Sequence, residues 1–163
     1  SIAPETIEIC RSIDISTLSK ARVEEELRKA LLKADKPSIF FEVLREMNQL
    51  DVWFPELKSL IGLEQDPIYH PEGDVWIHSM EVTDRAAAFR EKVSDPYSFM
   101  LLALASSTTD IGDEPCFRQH SSSSSGVLKV QSILSSFVPS FHSNWDGILS
   151  CPTLLFVLLS EHI

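Results

Sequence analysis

Apolar positions recur at helical spacing along most of the chain. In "SKARVEEELRKALLKA" (residues 19–34), Val23, Leu27, Ala30, Leu31 and Ala34 fall on one face. That is the mark of an amphipathic helix, and Ser19 stands where an N-cap belongs. "PSIFFEVLREMNQL" opens with Pro37, whose missing N–H does no harm in a first turn. Its expected apolar stripe is Phe40, Val43, Leu44 and Met47. "PELKSLIG" predicts a short helix opened by Pro55 and stopped by Gly62. "DVWIHSMEVTDRAAAFREK" predicts a helix capped by Asp74. "DPYSFMLLALA" predicts another, capped by Asp95 with Pro96 following. The run "FMLLALA" is apolar all round, as in a fully buried helix. "GVLKVQSILSSF" sets Val127, Val130, Leu134 and Phe137 on one side, and "PTLLFVLLSEHI" reads as a last helix. No alternating strand pattern of useful length occurs. The expected fold class is all-α.

Composition fits a soluble domain: 163 residues, 44% hydrophobic and 23% charged. A chain of this length can bury a core unaided by disulfides or metal. Cys10, Cys116 and Cys151 are odd in number and far apart, so reduced thiols are expected rather than a disulfide framework. The start lacks the basic and apolar regions of a signal peptide. The apolar runs, "FMLLALA" and "LLFVLL" among them, are too short to cross a bilayer. A cytoplasmic setting without membrane contact is expected. The chain ends on an uncapped helix and begins as if inside a helical domain, so a piece of a longer protein is expected. After residue 105 charge thins and serine multiplies, and "HSSSSSG" reads as a loop.

The net charge of −10 weighs against the whole surface binding nucleic acid. A local basic face is still open. Lys20, Arg22, Arg28, Lys29, Lys33 and Lys36 cluster on or beside the first long helix, with Glu24, Glu25 and Glu26 among them. This is either a solvated face laced by i,i+4 pairs such as Glu25–Lys29 or a weak, salt-dependent RNA contact.

"YHPEGDVWIHSMEVTD" (69–84) concentrates candidate chemistry. His78 shares a face with Val75, Val82, Ala86 and Phe89, which turns it towards the core side. It reads either as a buried histidine bonded to a polar neighbour or as a first metal ligand. A metal site needs three or more converging donors. Asp74 reads as a cap, Glu72 as a solvated carboxylate and His70 as a surface residue. Trp53, Trp76 and Trp145 read as fillers of the core or its margin.

"SIAPETIEI", "RVEEELRKAL", "PSIFFEVLREMNQLDVWFPEL" and "YHPEGDVWIHSMEV" occur here in an order that resembles bacterial CCA-adding tRNA nucleotidyltransferases, the multifunctional CCA proteins. The likeness is dense from Ser1 to about Leu104. Beyond it, "HSSSSSGVLKVQSIL" still looks like the family's helix after a His-rich loop. The resemblance implies a tRNA-binding helical body over residues 1–62 and an HD-like helical domain over 63–163, degenerate after about residue 105. The family's nucleotidyltransferase head, with its Gly-rich motif and paired carboxylates, has no counterpart in this sequence. CCA addition, which needs two metals for in-line phosphoryl transfer, is therefore not expected of these residues.

The resemblance also implies a His-Asp metal-ligand pair at the end of the helix after Pro96. Aligned without a gap, those positions are Ser106 and Ser107, and neutral hydroxyls replace imidazole and carboxylate poorly. With a short deletion the pair is absent altogether. The first expectation is a non-catalytic RNA-binding or structural module with a broken HD site, tRNA a weak partner, and no cofactor. The second is an HD-type phosphohydrolase rebuilt on His78, Asp110 and His120 around a divalent transition metal or magnesium. His142 and His162 are further spare imidazoles. A third is that the serine-rich tail comes from an altered reading frame.

Overall fold

The computed structural model describes residues 2–64 and 73–106. The expected helices over 126–137 and 152–163 lie outside these residues, as do the serine-rich loop, Cys116, Cys151 and Trp145. The described residues form helices joined by short turns: α1 (Pro4–Arg11), a 3-10 turn (Ile15–Thr17), α2 (Lys20–Lys33), α3 (Ser38–Glu46), α4 (Leu50–Trp53), α5 (Pro55–Lys58), α6 (Val75–Ala87), a second 3-10 turn (Arg90–Lys92) and α7 (Pro96–Ser106). No strand occurs among them. The all-α expectation holds.

α7 is the most deeply buried helix and joins α6 to α2. It packs against α6 on one side and α2 on another, while α3 packs against α6. Its sequence predicted burial all round. Tyr97, Ser98, Met100, Leu101, Ala103, Leu104 and Ala105 are buried, and Phe99 is partly so. α2 contributes Val23, Leu27 and Leu31 to the same core, as its periodicity predicted. Leu50, Phe54, Leu57 and Leu60 complete it from the α4–α5 region. Residues from both sides of position 62 thus share one core.

α3 departs from expectation in register. Its buried residues are Ser38 and Phe41, whereas Phe40, Val43, Leu44 and Met47 are only half-buried. Three rings settle the matter. Phe40, Phe41 and Phe54 meet edge to face, with centroids 5.2, 6.2 and 5.7 Å apart, the arrangement that aromatic quadrupoles favour. Pro37 takes the N-cap position rather than the first turn. The start of α3 is then capped from outside, Asp84 of α6 accepting from Ser38 N (2.9 Å) and Ser38 Oγ (2.8 Å).

The end of α3 is a Schellman turn. Asn48 N donates to Arg45 O (3.0 Å) and Gln49 N to Leu44 O (2.9 Å), with Asn48 at φ 56. Asn is the side chain that best tolerates this left-handed position after Gly. The same corner ties α1 down. Arg11 Nε and Nη2 both donate to Glu46 O (3.0 and 2.9 Å), and Gln49 Nε2 donates to Ile13 O at 2.6 Å. Trp53 Nε1 donates to Ile15 O at 3.0 Å, so this half-buried tryptophan both fills and anchors.

Candidate functional site

α2 is built to form and to present charge. Leu, Ala, Lys, Arg and Glu are its main residues, all good helix formers. Ser19 sits at the N-cap position but makes no side-chain cap bond. Its carbonyl accepts from Arg22 N and Val23 N instead. With Val23, Leu27 and Leu31 turned inward, Arg22, Lys29 and Lys33 fall on the opposite, exposed stripe at spacings of seven and four. Lys20, also exposed, stands apart in the first turn.

Carboxylates hold part of this stripe. Lys29 Nζ lies 3.0 Å from both Glu25 Oε1 and Glu26 Oε1. The hydrogen bond from Lys29 lowers the Glu25 pKa, and the bonds to Glu25 and then Glu26 raise that of Lys29. The expected Glu25–Lys29 pair is present. Arg22 and Lys33 make no ion pair among the described residues. The arrangement offers two exposed cations outside any ion pair among the described residues and one engaged one, a surface that can meet phosphates but only modestly.

Arg28 leaves the stripe. Its guanidinium carbon lies 3.7 Å from the Tyr97 ring centroid, and Nη2 is 3.8 Å from Glu24 Oε1. Two residues that the sequence pattern did not single out share this corner. Arg90 Nη1 donates to Leu31 O (3.1 Å) and Ala34 O (2.7 Å), closing the end of α2. Tyr97 is 4% exposed, and its hydroxyl has no partner among the described residues. Nothing in spacing or composition marks either residue; only the approach of α7 to α2 does.

α6 carries the histidine stretch. Asp74 caps it as predicted, Oδ1 accepting from Ile77 N at 2.9 Å. Its other oxygen accepts from Gly62 N at 2.9 Å, and Val75 N donates to Leu63 O at 2.9 Å. The chain is therefore pinched between residues 62–63 and 74–75, with Gly62 at φ 77 turning the backbone there. Trp76 is buried, its Nε1 donating to Glu42 Oε1 at 2.7 Å. Ser79 and Thr83 lie fully buried and return their hydroxyls to Val75 O and Ser79 O.

Because α6 is packed by both α3 and α7, its buried face is wide and centres on Ser79, Thr83 and Ala86. His78 lies at the margin of that face, half-buried. The other two residues of the candidate metal set, Asp110 and His120, lie outside the described residues, as do His70, Glu72, His142 and His162. Among the described residues no three His, Cys, Asp or Glu side chains converge to hold an ion. Ser106 ends α7, and Ser107 falls outside the described residues. No helix among the described residues is long and apolar enough to cross a membrane.

Residues 1–61 match a family model described as the probable RNA and SrmB-binding site of polymerase A. Among curated proteins, the chain is 39% identical over 124 residues to the multifunctional CCA protein of Pseudoalteromonas atlantica, covering 74% of this chain and 30% of that protein. It is 34% identical over 163 residues to that of Leptothrix cholodnii, covering 90% and 38%. With that of Cupriavidus necator it shares 36% over 132 residues, covering 78% and 32%. The chain thus spans about a third of the length of the curated relatives it matches. No solved structure matches it.

Proposed function

This chain is related to the multifunctional CCA proteins, and from that premise we propose that it is an RNA-binding helical module of tRNA 3′-end processing, acting by binding rather than by catalysis. The observation that carries the reading is the overlap of two features. The RNA-binding family match covers residues 1–61, and within it α2 turns Arg22, Lys29 and Lys33 to solvent. Cations along one helix face can meet phosphates of a nucleic-acid backbone, and each one that does so releases counterions. The overall charge of −10 and the carboxylates on Lys29 keep the contact weak. A body-like segment over residues 1–62 and an HD-like domain over 63–163, in a cytoplasmic setting, belong to the same proposal.

The lack of catalysis is argued from side-chain chemistry. In the gap-free alignment Ser106 and Ser107 stand where the family resemblance implies a His-Asp pair, and a neutral hydroxyl neither replaces an imidazole nor balances a cation's charge. The competing reading, a metal-dependent phosphohydrolase on His78, Asp110 and His120, draws on the half-buried position of His78. Titrating a tRNA with the purified chain at about 50 and about 200 mM salt tests the main reading. Binding that weakens steeply between the two supports it. Salt-independent binding, or none at low salt, overturns it.

A further inference from the structure

We propose that the corner between α2 and α7 is a subsite for one unpaired nucleotide of an RNA strand, with its base stacked on the Arg28 guanidinium and its phosphate held by Arg90. The inference rests on the RNA-binding reading and adds to it a place and a class of ligand.

The corner is an open cavity of about 280 Å³ lined by Arg28, Leu32, Arg90, Pro96 and Tyr97 together with the carboxylates Glu91 and Asp95. Established small-ligand pockets start at roughly this size, so it suits a single nucleotide and nothing much larger. Tyr97 holds the inner face of the Arg28 guanidinium at 3.7 Å. The Arg28 side chain keeps 49% of its exposure, so its outer face is open. A guanidinium held over an aromatic ring can offer its other face to a planar base, and it stacks every base alike.

Arg90 is fixed as well. Its Nη1 is spent on the carbonyls of Leu31 and Ala34, while its other nitrogens have no partner among the described residues. Those donors are pre-positioned for a phosphate oxygen, which guanidinium geometry suits. Leu32 and Pro96 supply apolar walls. The carboxylates Glu91 and Asp95 oppose free polyphosphate, but they can accept from the exocyclic amino group of a base.

Tyr97 gives a separate sign of function. Its hydroxyl is buried and unpartnered, which native interiors rarely leave unexplained. Burial, then the Glu24 carboxylate, push its pKa up to about 12, while Arg28 pulls the other way, so the phenol keeps its proton. The subsite also lies on the flank of the helix that carries the exposed cations. A strand tracking Arg22, Lys29 and Lys33 can turn one base over the edge of α2 into the cavity. A duplex, whose bases stay stacked, cannot.

The test uses the full chain with two probes, a short unstructured oligoribonucleotide and a perfectly paired RNA duplex. Arg28→Lys keeps the charge and removes the plane. It is expected to weaken single-strand binding about tenfold and leave duplex binding unchanged. Equal single-strand binding by Arg28→Lys and the unchanged protein overturns the subsite, and if Arg22→Ala still weakens tRNA binding the RNA-binding reading survives. Binding of neither RNA by the unchanged protein removes both. A second measurement needs no variant. Adding AMP or CMP is expected to shift the NMR signals of Arg28 Nε–H and the Tyr97 ring, and unmoved signals at millimolar nucleotide overturn the subsite.

Discussion

Asp84 caps a helix to which it does not belong. From the last turn of α6 its two carboxylate oxygens take the N–H and the hydroxyl of Ser38, at 2.9 and 2.8 Å, where α3 begins. The first turn of a helix leaves N–H groups without partners inside the helix, and Pro37 before Ser38 has no cap oxygen to offer. The acceptor therefore comes from 46 residues away, and α3 is docked and capped by one side chain.

Asp84→Ala is expected to lower stability by about 1–2 kcal/mol, the loss typical of a cap. Asp84→Asn keeps one acceptor oxygen and is expected to lose less. Denaturant unfolding of the three proteins measures this, and equal midpoints would mean that the bonds to Ser38 contribute nothing net.

Tyr97→Phe removes a hydroxyl that is buried without a partner. It is expected to raise stability by about 1 kcal/mol near neutral pH, since the desolvation of that group is relieved. The effect has a pH signature. The folded pKa, about 12, lies above the ordinary tyrosine value of 10.0. The unfolded chain therefore loses its proton first, and the folded state loses stability relative to it as pH rises from about 10 to about 12. Thermal melts in that window are expected to fall more steeply for the unchanged protein than for Tyr97→Phe.

Arg22→Ala and Lys33→Ala are each expected to weaken tRNA binding and to reduce the slope of log affinity against log salt by about one. Lys29→Ala is expected to do less, because Glu25 and Glu26 already hold that ammonium at 3.0 Å. Titrations at several salt concentrations rank the three. A Lys29 effect as large as the others would mean that its pairs open freely on contact with RNA.

Elemental analysis of the purified chain, with His78→Ala beside it, is expected to find no stoichiometric transition metal in either. Metal present in the first and lost in the second would revive the phosphohydrolase reading, and phosphatase assays with the metal restored would then decide it.

Periodicity read α2 well because it buries the face that its apolar spacing defines, and composition read α7 because its residues are apolar all round. α6 was only partly legible: Val75, Val82 and Ala86 are buried as spaced, but small polar Ser79 and Thr83 sit at the centre of its buried face, which no apolar pattern marks. Asp74 was legible as a cap because its acceptor serves the adjacent turn. Its second bond, to Gly62, was not, since it joins residues whose nearness depends on the fold. Phe41 displaced the expected Phe40 stripe for the same reason: α3 is short, and the ring of Phe54, from beyond α4, set its register. Asn48 could have been read as a helix stop, but its neighbours look helical on both sides. The exposed cations of α2 were legible one by one. That Arg28 turns from them onto Tyr97 was not, because that contact spans 69 residues, from 28 to 97. Asp110 and His120 lie outside the described residues, so the metal set is joined here only through His78.

Arg90 closes α2 by taking the carbonyls of Leu31 and Ala34, and α7 covers the inner face of the same helix. The stretch that matches the family model, residues 1–61, therefore contains the helix but neither its clasp nor its roof. Excised at that boundary, it would carry bare carbonyls at the end of α2 and an oily stripe of Val23, Leu27 and Leu31 with no α7 over it. A segment that can be recognised by itself in sequence need not be one that can be lifted out by itself in the laboratory. Here the basic face owes its shape to residues that come after it.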